Sequence, residues 1–172
     1  MLLAAVHLYA LLALQTHKVK PKETGTAAEV KRFVQGFYDW YTPRALKGDA
    51  ETLALKTKAD MFSPELRRAL NEDRIASSKV PDEIVGLDFD PFLASQDPYP
   101  VYTVRKIEHK VSSWLASVYG SSPGEKATDV AVVAKVEKGK HGWRFTNFLY
   151  GKDGDLLGVL HTLKKDREKP GK

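Results

Sequence analysis

The chain contains no cysteine among its 172 residues. Disulfide bonds, thiol catalysis, thiolate metal sites and lipid attachment through an N-terminal cysteine are therefore excluded. The sequence also lacks an H-E-x-x-H zinc motif, a G-x-S-x-G nucleophile motif, a phosphate-binding glycine loop and a dinucleotide fingerprint. These absences weaken the case for an enzyme without eliminating it, and we expect no metal ion or cofactor.

The composition is that of a globular protein, with 42% hydrophobic and 10% aromatic residues. Its length suits one domain with a sizeable core. The net charge of +5 arises mainly at the two ends of the chain, around Lys18–Lys22 and Lys164–Lys172. A nucleic-acid-binding protein more often spreads its basic residues over one face. We therefore interpret the basic ends as solvated tails and expect no nucleic-acid partner.

One apolar run, Leu2–Leu14, stands out near the N-terminus. It is too short to span a membrane, which takes about 20 apolar residues, but it suits the hydrophobic region of a secretory signal peptide. No lysine or arginine precedes it, and no small-x-small cleavage site follows. A buried first helix is the alternative, disfavoured because the next segment is polar. We predict a signal peptide over residues 1–15, a polar linker over 16–25 and export to the periplasm or the medium, with no membrane span in the mature chain.

The first half of the mature chain has helical periodicity. Thr26 and Glu29 form a capping box ahead of an apolar stripe at three- and four-residue spacing that runs from Val30 to Tyr41. Pro43 is expected to end or kink this helix, and Asp49 to cap a second one. A third helix is predicted to begin after Ser63, to carry Leu66, Ala69, Leu70 and Ile75 on its apolar face, and to end before Pro81.

The second half has the alternating pattern of β-strands from Val101 onward. In each of three successive segments, alternate residues share one face of the predicted strand. In the first two segments these are Trp114, Ala116 and Val118, and then Val130, Val132, Ala134 and Val136. In the third they are Trp143, Phe145, Asn147 and Leu149, with Arg144, Thr146, Phe148 and Tyr150 on the opposite face. Asp155 caps a short closing helix. The order predicts an α+β fold, with helices on one face of a curved antiparallel sheet. The domain spans residues 26–165, and a basic tail spans 166–172.

Four segments carry a family resemblance: "VQGFYDWY", "FSPELRRAL", "LDFDPFLASQD" and "GWRFTNFLY". Together they resemble a bacterial family of uncharacterised exported proteins, catalogued as domain of unknown function 3828, over most of residues 27–163. The resemblance implies a cone-shaped α+β fold similar to nuclear transport factor 2 and the cystatin-like group. It implies no activity, catalytic residue or ligand, and fold analogy alone does not assign function.

The segment from Gly86 to Pro100 concentrates oxygen ligands: Asp88, Asp90, Gln96 and Asp97. These residues form a candidate binding site and, in one alternative, a calcium-stabilised loop. A twelve-residue calcium loop with its glycine and closing glutamate is absent. In the interpretation that we favour, Asp90 caps the turn begun by Pro91, and Asp97 orders the turn ahead of Pro98. Phe89, Phe92 and Leu93 would then be buried against the sheet.

Two further groups are candidates. Tyr38, Trp40 and Tyr41 follow Phe37 and could line a pocket, although helical spacing is more typical of core, and Trp40 and Tyr41 cannot both face inward with Phe37. His109 lies within a strand and, with Asp88 or Asp97, could form an acid–base pair. The sequence therefore favours a non-catalytic binding or protein-interaction module with an unknown protein or small-molecule partner. The alternative is a small lyase or isomerase with an ionisable residue inside the cone.

Overall fold

The computed structural model describes residues 25–48, 50–80 and 83–169. The helices are α1 (Ala27–Ala45), α2 (Ala50–Thr57), α3 (Pro64–Ser77) and α4 (Leu156–Arg167); the strands are β1 (Val101–Lys110), β2 (Ser113–Ser121), β3 (Val132–Gly139) and β4 (Gly142–Leu149). The predicted signal peptide, almost all of the predicted linker and the predicted cap at Asp49 lie outside the described residues.

Helix α1 begins at the predicted capping box. The amide of Glu29 donates to Thr26 Oγ1, and the amide of Thr26 donates to Glu29 Oε2, both at 3.2 Å. These two bonds satisfy amides that the first turn of a helix leaves without partners. Pro43 was expected to end or kink the helix. The helix continues two residues past it to Ala45, and Gly48 follows with a φ of 85°.

Helix α3 begins as predicted, but one of its predicted apolar residues faces solvent. Ser63 Oγ accepts from the amide of Leu66 at 3.1 Å, and Pro64 occupies the first turn. Leu66 and Leu70 are buried, whereas Ile75 is 49% exposed. The assignment of Ile75 to the buried face was therefore wrong.

The four strands form one antiparallel sheet in the order β1-β2-β3-β4. The predicted α+β fold, with a short C-terminal helix, is confirmed. Helix α1 packs against β1 and β2, while α3 and α4 pack against β4.

Both edges of this sheet are partly covered. The side-chain amide of Gln35 donates to Tyr102 O at 3.1 Å and accepts from the backbone amide of Val104 at 2.8 Å. These two bonds satisfy backbone groups of the edge strand β1. At the other edge, the amide of Ser63 donates to Phe145 O at 2.8 Å. Covered edges do not offer the unpaired backbone groups through which sheets aggregate.

A β-bulge overturns the predicted faces of β4. The register places Lys135 opposite Asn147 but Val136 opposite Phe145, so that Thr146 is the extra residue. Phe145 and Phe148 were predicted on opposite faces, yet both are buried in the core. One inserted residue reverses the alternation of side chains beyond it. Val130 was also assigned wrongly, because it precedes β3 and is 43% exposed.

Helix α4 is capped by Asp155, as predicted, through a 3.0 Å hydrogen bond from the amide of Gly158. The helix extends to Arg167. Arg167 was assigned to a solvated tail. This was wrong, because its side chain is only 20% exposed and pairs with Asp73.

Aromatic rings fill the space between the helices and the sheet. The ring of Phe37 lies 4.9 Å from that of Phe145, 5.5 Å from Phe92 and 5.8 Å from Phe62, measured between centroids. All four rings are buried. Contacts of this kind add to the stabilisation from burial alone. Buried side chains thus fill the layer between the helices and the sheet.

Candidate functional site

The loop from Asp88 to Asp97 is a turn built around the carboxylate of Asp90. Asp90 Oδ1 accepts from the amides of Phe92 at 3.0 Å and Leu93 at 3.1 Å, and Asp90 Oδ2 accepts from the hydroxyl of Tyr41 at 2.7 Å. The amide of Asp90 donates to Ser95 O at 2.9 Å, which closes the turn. The predicted cap at Asp90 is therefore confirmed.

Tyrosine hydroxyl groups attach this turn to the rest of the fold. Tyr38 donates to Phe92 O at 2.8 Å, and Tyr150 donates to Pro91 O at 2.7 Å. Both tyrosines are distant from the turn in sequence: the first lies in α1, and the second directly follows β4. A hydrogen bond of this kind contributes about 1 kcal/mol, and losing it inside the protein also leaves a buried carbonyl without a partner. The turn is thus fixed to both layers of the fold.

The other predicted binding residues of the loop face solvent. Asp88, Gln96 and Asp97 are exposed. Gln96 Nε2 donates to Asp88 Oδ2 at 3.2 Å, and the amide of Asp97 donates to Ser95 Oγ at 3.1 Å. The structure therefore brings Asp88 and Gln96 together but directs Asp90 toward Tyr41. Among the described residues, no three acidic, histidine or cysteine side chains are grouped so that they could hold a metal ion.

The aromatic candidates of α1 divide between core and surface. Tyr38 and Tyr41 are buried, as is Phe37. Trp40 is half-buried; the Arg44 guanidinium lies 4.5 Å from its ring centroid, and the Lys58 ammonium lies 5.3 Å away. The expectation that Trp40 and Tyr41 would not both face inward is confirmed. The hydroxyl groups of Tyr38 and Tyr41 donate hydrogen bonds to the turn around Asp90. The ring of Trp40 is covered by the side chains of Arg44 and Lys58.

His109, the candidate acid–base residue, lies on the surface. It is exposed near the end of β1, and its ring centroid is 4.4 Å from that of Trp114. Asp88 and Asp97, its alternative predicted partners, are also exposed. None of the three side chains is enclosed in the way that a general acid or base inside a pocket requires.

Glu51 is an ionisable residue that sequence reasoning missed. It lies in the first turn of α2, where a glutamate ordinarily complements the helix dipole. Burial, together with the charges of Asp90 and Asp73, raises the pKa of Glu51 to about 7, and the charge of Arg74 opposes the rise. Burial also raises the pKa of Asp90, against the lowering effect of its hydrogen bonds. Nothing in the sequence indicates the raised pKa of Glu51, because that pKa depends on which residues cover its side chain.

The surface between α3 and α4 forms a groove, which we call the α3–α4 groove. Its first part has a volume of about 370 Å³ and is lined by side chains of both helices, among them Arg68, Ala69, Glu72, Leu157, His161 and Lys164. A second part of about 290 Å³ continues along Ile75, Ala76 and Lys79. Across it, Lys164 Nζ lies 2.9 Å from Glu72 Oε2. The residues on the two walls are about ninety positions apart, so no local pattern could have predicted the groove.

A buried ion pair fixes the geometry of this groove. Arg167 Nη1 lies 2.6 Å from Asp73 Oδ1 and donates to Val85 O at 2.7 Å. Asp73 is 4% exposed, and its second oxygen accepts from the amide of Leu87 at 2.9 Å. A Cβ at Gly86 would collide with the Asp73 carboxylate, so the segment passes close to α3. The pair thus joins α3, α4 and residues 85–87.

Comparison with protein-family models, with curated proteins and with solved structures gives no match for this chain. The resemblance to domain family 3828, and the cone shape that it implies, therefore stay predictions. Within the part of the chain that the structure covers, no helix combines the length and the apolar character needed to cross a membrane.

Proposed function

We propose that the protein is a non-catalytic binding or protein-interaction module whose contact surface is the α3–α4 groove. The observation that carries this proposal is the difference between the candidate catalytic residues, which no pocket encloses, and the groove, which is concave. The candidate catalytic residues His109 and Asp88 are exposed, and buried rings occupy the interior, whereas the groove is concave and open to solvent.

The lining of the groove suits a polypeptide partner. Ala69 and Leu157 supply apolar surface, and Glu65, Arg68 and Glu72 supply charges of both signs. A surface that combines apolar and charged side chains is typical of non-obligate protein interfaces. The exposed Ile75 extends the apolar surface along the second part of the groove. A segment with charges of both signs around an apolar stripe would match this pattern.

The proposal keeps the predicted location, which is export to the bacterial periplasm or the medium. Its support is the apolar run Leu2–Leu14 and the family resemblance. N-terminal sequencing of the protein from fractionated cells tests it directly. A mature chain that begins near residue 16 in the envelope or the medium is expected, and a full-length cytoplasmic chain would contradict export.

Photo-cross-linking in cells of the source organism tests the binding surface. A photoreactive amino acid at His161, in the groove, is expected to give a discrete adduct with one protein. The same amino acid at Lys106, which is exposed on β1, serves as the matched control and is expected to give none. The substitution Ala69→Arg, which fills the groove, should abolish the adduct at an unchanged melting temperature. Equal adducts from both positions, or no loss with Ala69→Arg, would argue against the groove.

One observation favours the rival function, a small lyase or isomerase. Burial and the charge of Asp90 raise the pKa of Glu51 to about 7, which is near neutrality, as for a general acid or base. A fragment screen monitored at the Glu51 carboxyl carbon by NMR tests this idea. A ligand that shifts that resonance at submillimolar concentration, and loses its affinity in Glu51→Gln, would support the enzyme over the binding module.

A further inference from the structure

The charges that flank the sheet are divided between its two ends. Because the strands alternate in direction, the β1–β2 and β3–β4 turns lie at the same end, which we call the hairpin end. Residues 109–112 and 138–141, which comprise these turns and the adjoining strand ends, contain three lysines, two histidines and no acidic residue. The segments that adjoin the opposite ends of the strands, residues 86–100, 122–131 and 150–155, contain seven acidic residues and two lysines. The hairpin end is thus basic and the opposite end acidic.

The acidic residues close to the hairpin end have lysine partners of their own. Three such residues each lie within 4.0 Å of a lysine: Glu108 of Lys106, Glu137 of Lys135, and Glu29 of Lys138. Lys110 and Lys140, at the turns themselves, are exposed. These two lysines therefore supply positive charge beyond that which the neighbouring acids balance.

The two turns form a level surface from which one apolar side chain projects. Trp114 pairs with Val136 across β2 and β3, and continuing this register by three residues places Val111 level with Gly139. The two turns are two strand spacings apart, which is about 10 Å. Val111, at the tip of the β1–β2 turn, is 99% exposed. The hairpin end thus presents a valine beside exposed lysines.

Two tryptophan rings and the start of α1 lie at the same end. The rings of Trp114 and Trp143 are half-buried, and their centroids are 6.4 Å apart. Gly25 passes so close to the ring of Trp143 that a Cβ at this position would collide with it. The segment before Gly25 is therefore joined to the domain at the hairpin end. Three more lysines stand in that segment, three to seven positions before Gly25: Lys18, Lys20 and Lys22.

We propose that the hairpin end docks on a bilayer surface that contains anionic lipids. The negative potential of such a surface attracts the lysines and repels the acidic end of the sheet, which orients the domain with its two turns toward the bilayer. Val111 enters the boundary between headgroups and acyl chains, and the tryptophan rings suit the level of the headgroups. An acidic protein or a nucleic acid would attract the lysines but offers no apolar layer to Val111. The docking is peripheral, and it does not involve the α3–α4 groove.

A fluorophore at the tip of the first turn tests this docking. Because the chain has no cysteine, one introduced cysteine places a polarity-sensitive fluorophore at a chosen position of the full chain. The emission from Val111→Cys should shift to shorter wavelength with vesicles of phosphatidylglycerol and phosphatidylcholine, and return in 1 M salt, which screens charges beyond about 3 Å. Vesicles of phosphatidylcholine alone should give no shift. The matched control is Glu125→Cys, exposed at the acidic end, which should respond to neither.

A pair of substitutions tests whether the lysines of the turns direct the docking. Lys110→Gln combined with Lys140→Gln, in the labelled chain, should weaken partition onto the anionic vesicles about thirtyfold, since each lysine near such a surface contributes roughly fivefold. The control pair, Lys126→Gln with Lys152→Gln, removes the same charge from exposed positions at the acidic end. It should change the partition less than about twofold, because those lysines stand far from the bilayer.

Three results would overturn the proposal. The first is a fluorophore at Val111→Cys that ignores the anionic vesicles or responds equally to neutral ones. The second is an equal response from Glu125→Cys, or equal weakening by the two lysine pairs, since net charge rather than the hairpin end would then direct the binding. The third is a response to RNA or polyglutamate with none to the vesicles, which would assign the hairpin end to an acidic macromolecule instead.

Discussion

The loop around Asp90 and the α3–α4 groove use charged residues in opposite ways. In the loop, Asp90 directs both carboxylate oxygens inward, to Tyr41 and to the backbone of Phe92 and Leu93. In the groove, Lys164 and Glu72 pair across the surface, with about half of each side chain exposed. Of the acids that stand close together in the sequence, Asp90 holds a turn, whereas the exposed concave surface uses residues from two distant segments. Density of ionisable residues along a chain thus does not tell whether their side chains face inward or outward.

The largest expected effect lies beneath the groove, at the buried pair of Asp73 and Arg167. Arg167→Ala should lower the free energy of unfolding by about 3 to 5 kcal/mol, because it leaves the Asp73 carboxylate buried without its cation. Urea denaturation measures the change. The control Lys169→Ala removes an exposed ion pair with Asp166 and should cost less than about 1 kcal/mol. Similar values for the two variants would contradict the structural role of Arg167.

The second-largest loss of stability is expected on removing the carboxylate of Asp90, around which the loop is built. Asp90→Ala deprives two amides and the Tyr41 hydroxyl of their acceptor, for an expected loss of about 2 to 4 kcal/mol. Asp97→Ala, in the same loop but exposed, should change the stability by less than about 0.5 kcal/mol. The two variants together test whether Asp90 has a structural role. If the loop were a solvent-facing ligand site, neither aspartate would be needed for folding, and both variants would be nearly neutral.

Single hydroxyl groups should have a smaller effect. Tyr38→Phe and Tyr150→Phe each remove one hydrogen bond to the loop backbone and should cost about 1 kcal/mol. Tyr99 is 48% exposed, and Tyr99→Phe should be neutral. Thermal unfolding of the three variants checks this order. A neutral Tyr38→Phe would show that the loop does not depend on α1 for its attachment.

The smallest expected effect concerns calcium. Asp90 is engaged internally and Asp88 accepts from Gln96, so we expect the melting temperature to be the same with calcium and with a chelator. A ligand that binds only the folded state would raise it. A rise of several degrees on adding calcium would restore the calcium-stabilised loop as the better interpretation.

The sequence predicted well those features that local chemistry determines. The capping box of Thr26 and Glu29, the cap at Ser63 and the cap at Asp90 all depend on residues within a few positions of each other, and all three are confirmed. The α+β order follows from periodicity in the same way.

What the sequence could not predict depends on contacts between distant residues. The bulge at Thr146 places Phe145 and Phe148 on one face, although strict alternation separates them. The raised pKa of Glu51 arises from its burial and from Asp90, about forty positions away. The α3–α4 groove and the Asp73–Arg167 pair likewise exist only once the two helices are packed together.

Photo-cross-linking from Gln96 and from His161, compared in the same cells, tests the account most directly. Gln96 stands on the exposed side of the loop, and His161 lines the α3–α4 groove. The account predicts a discrete protein adduct from His161 that Ala69→Arg removes, and no such adduct from Gln96. An adduct from Gln96, with none from His161, would show that the acidic loop binds the partner and that the groove does not.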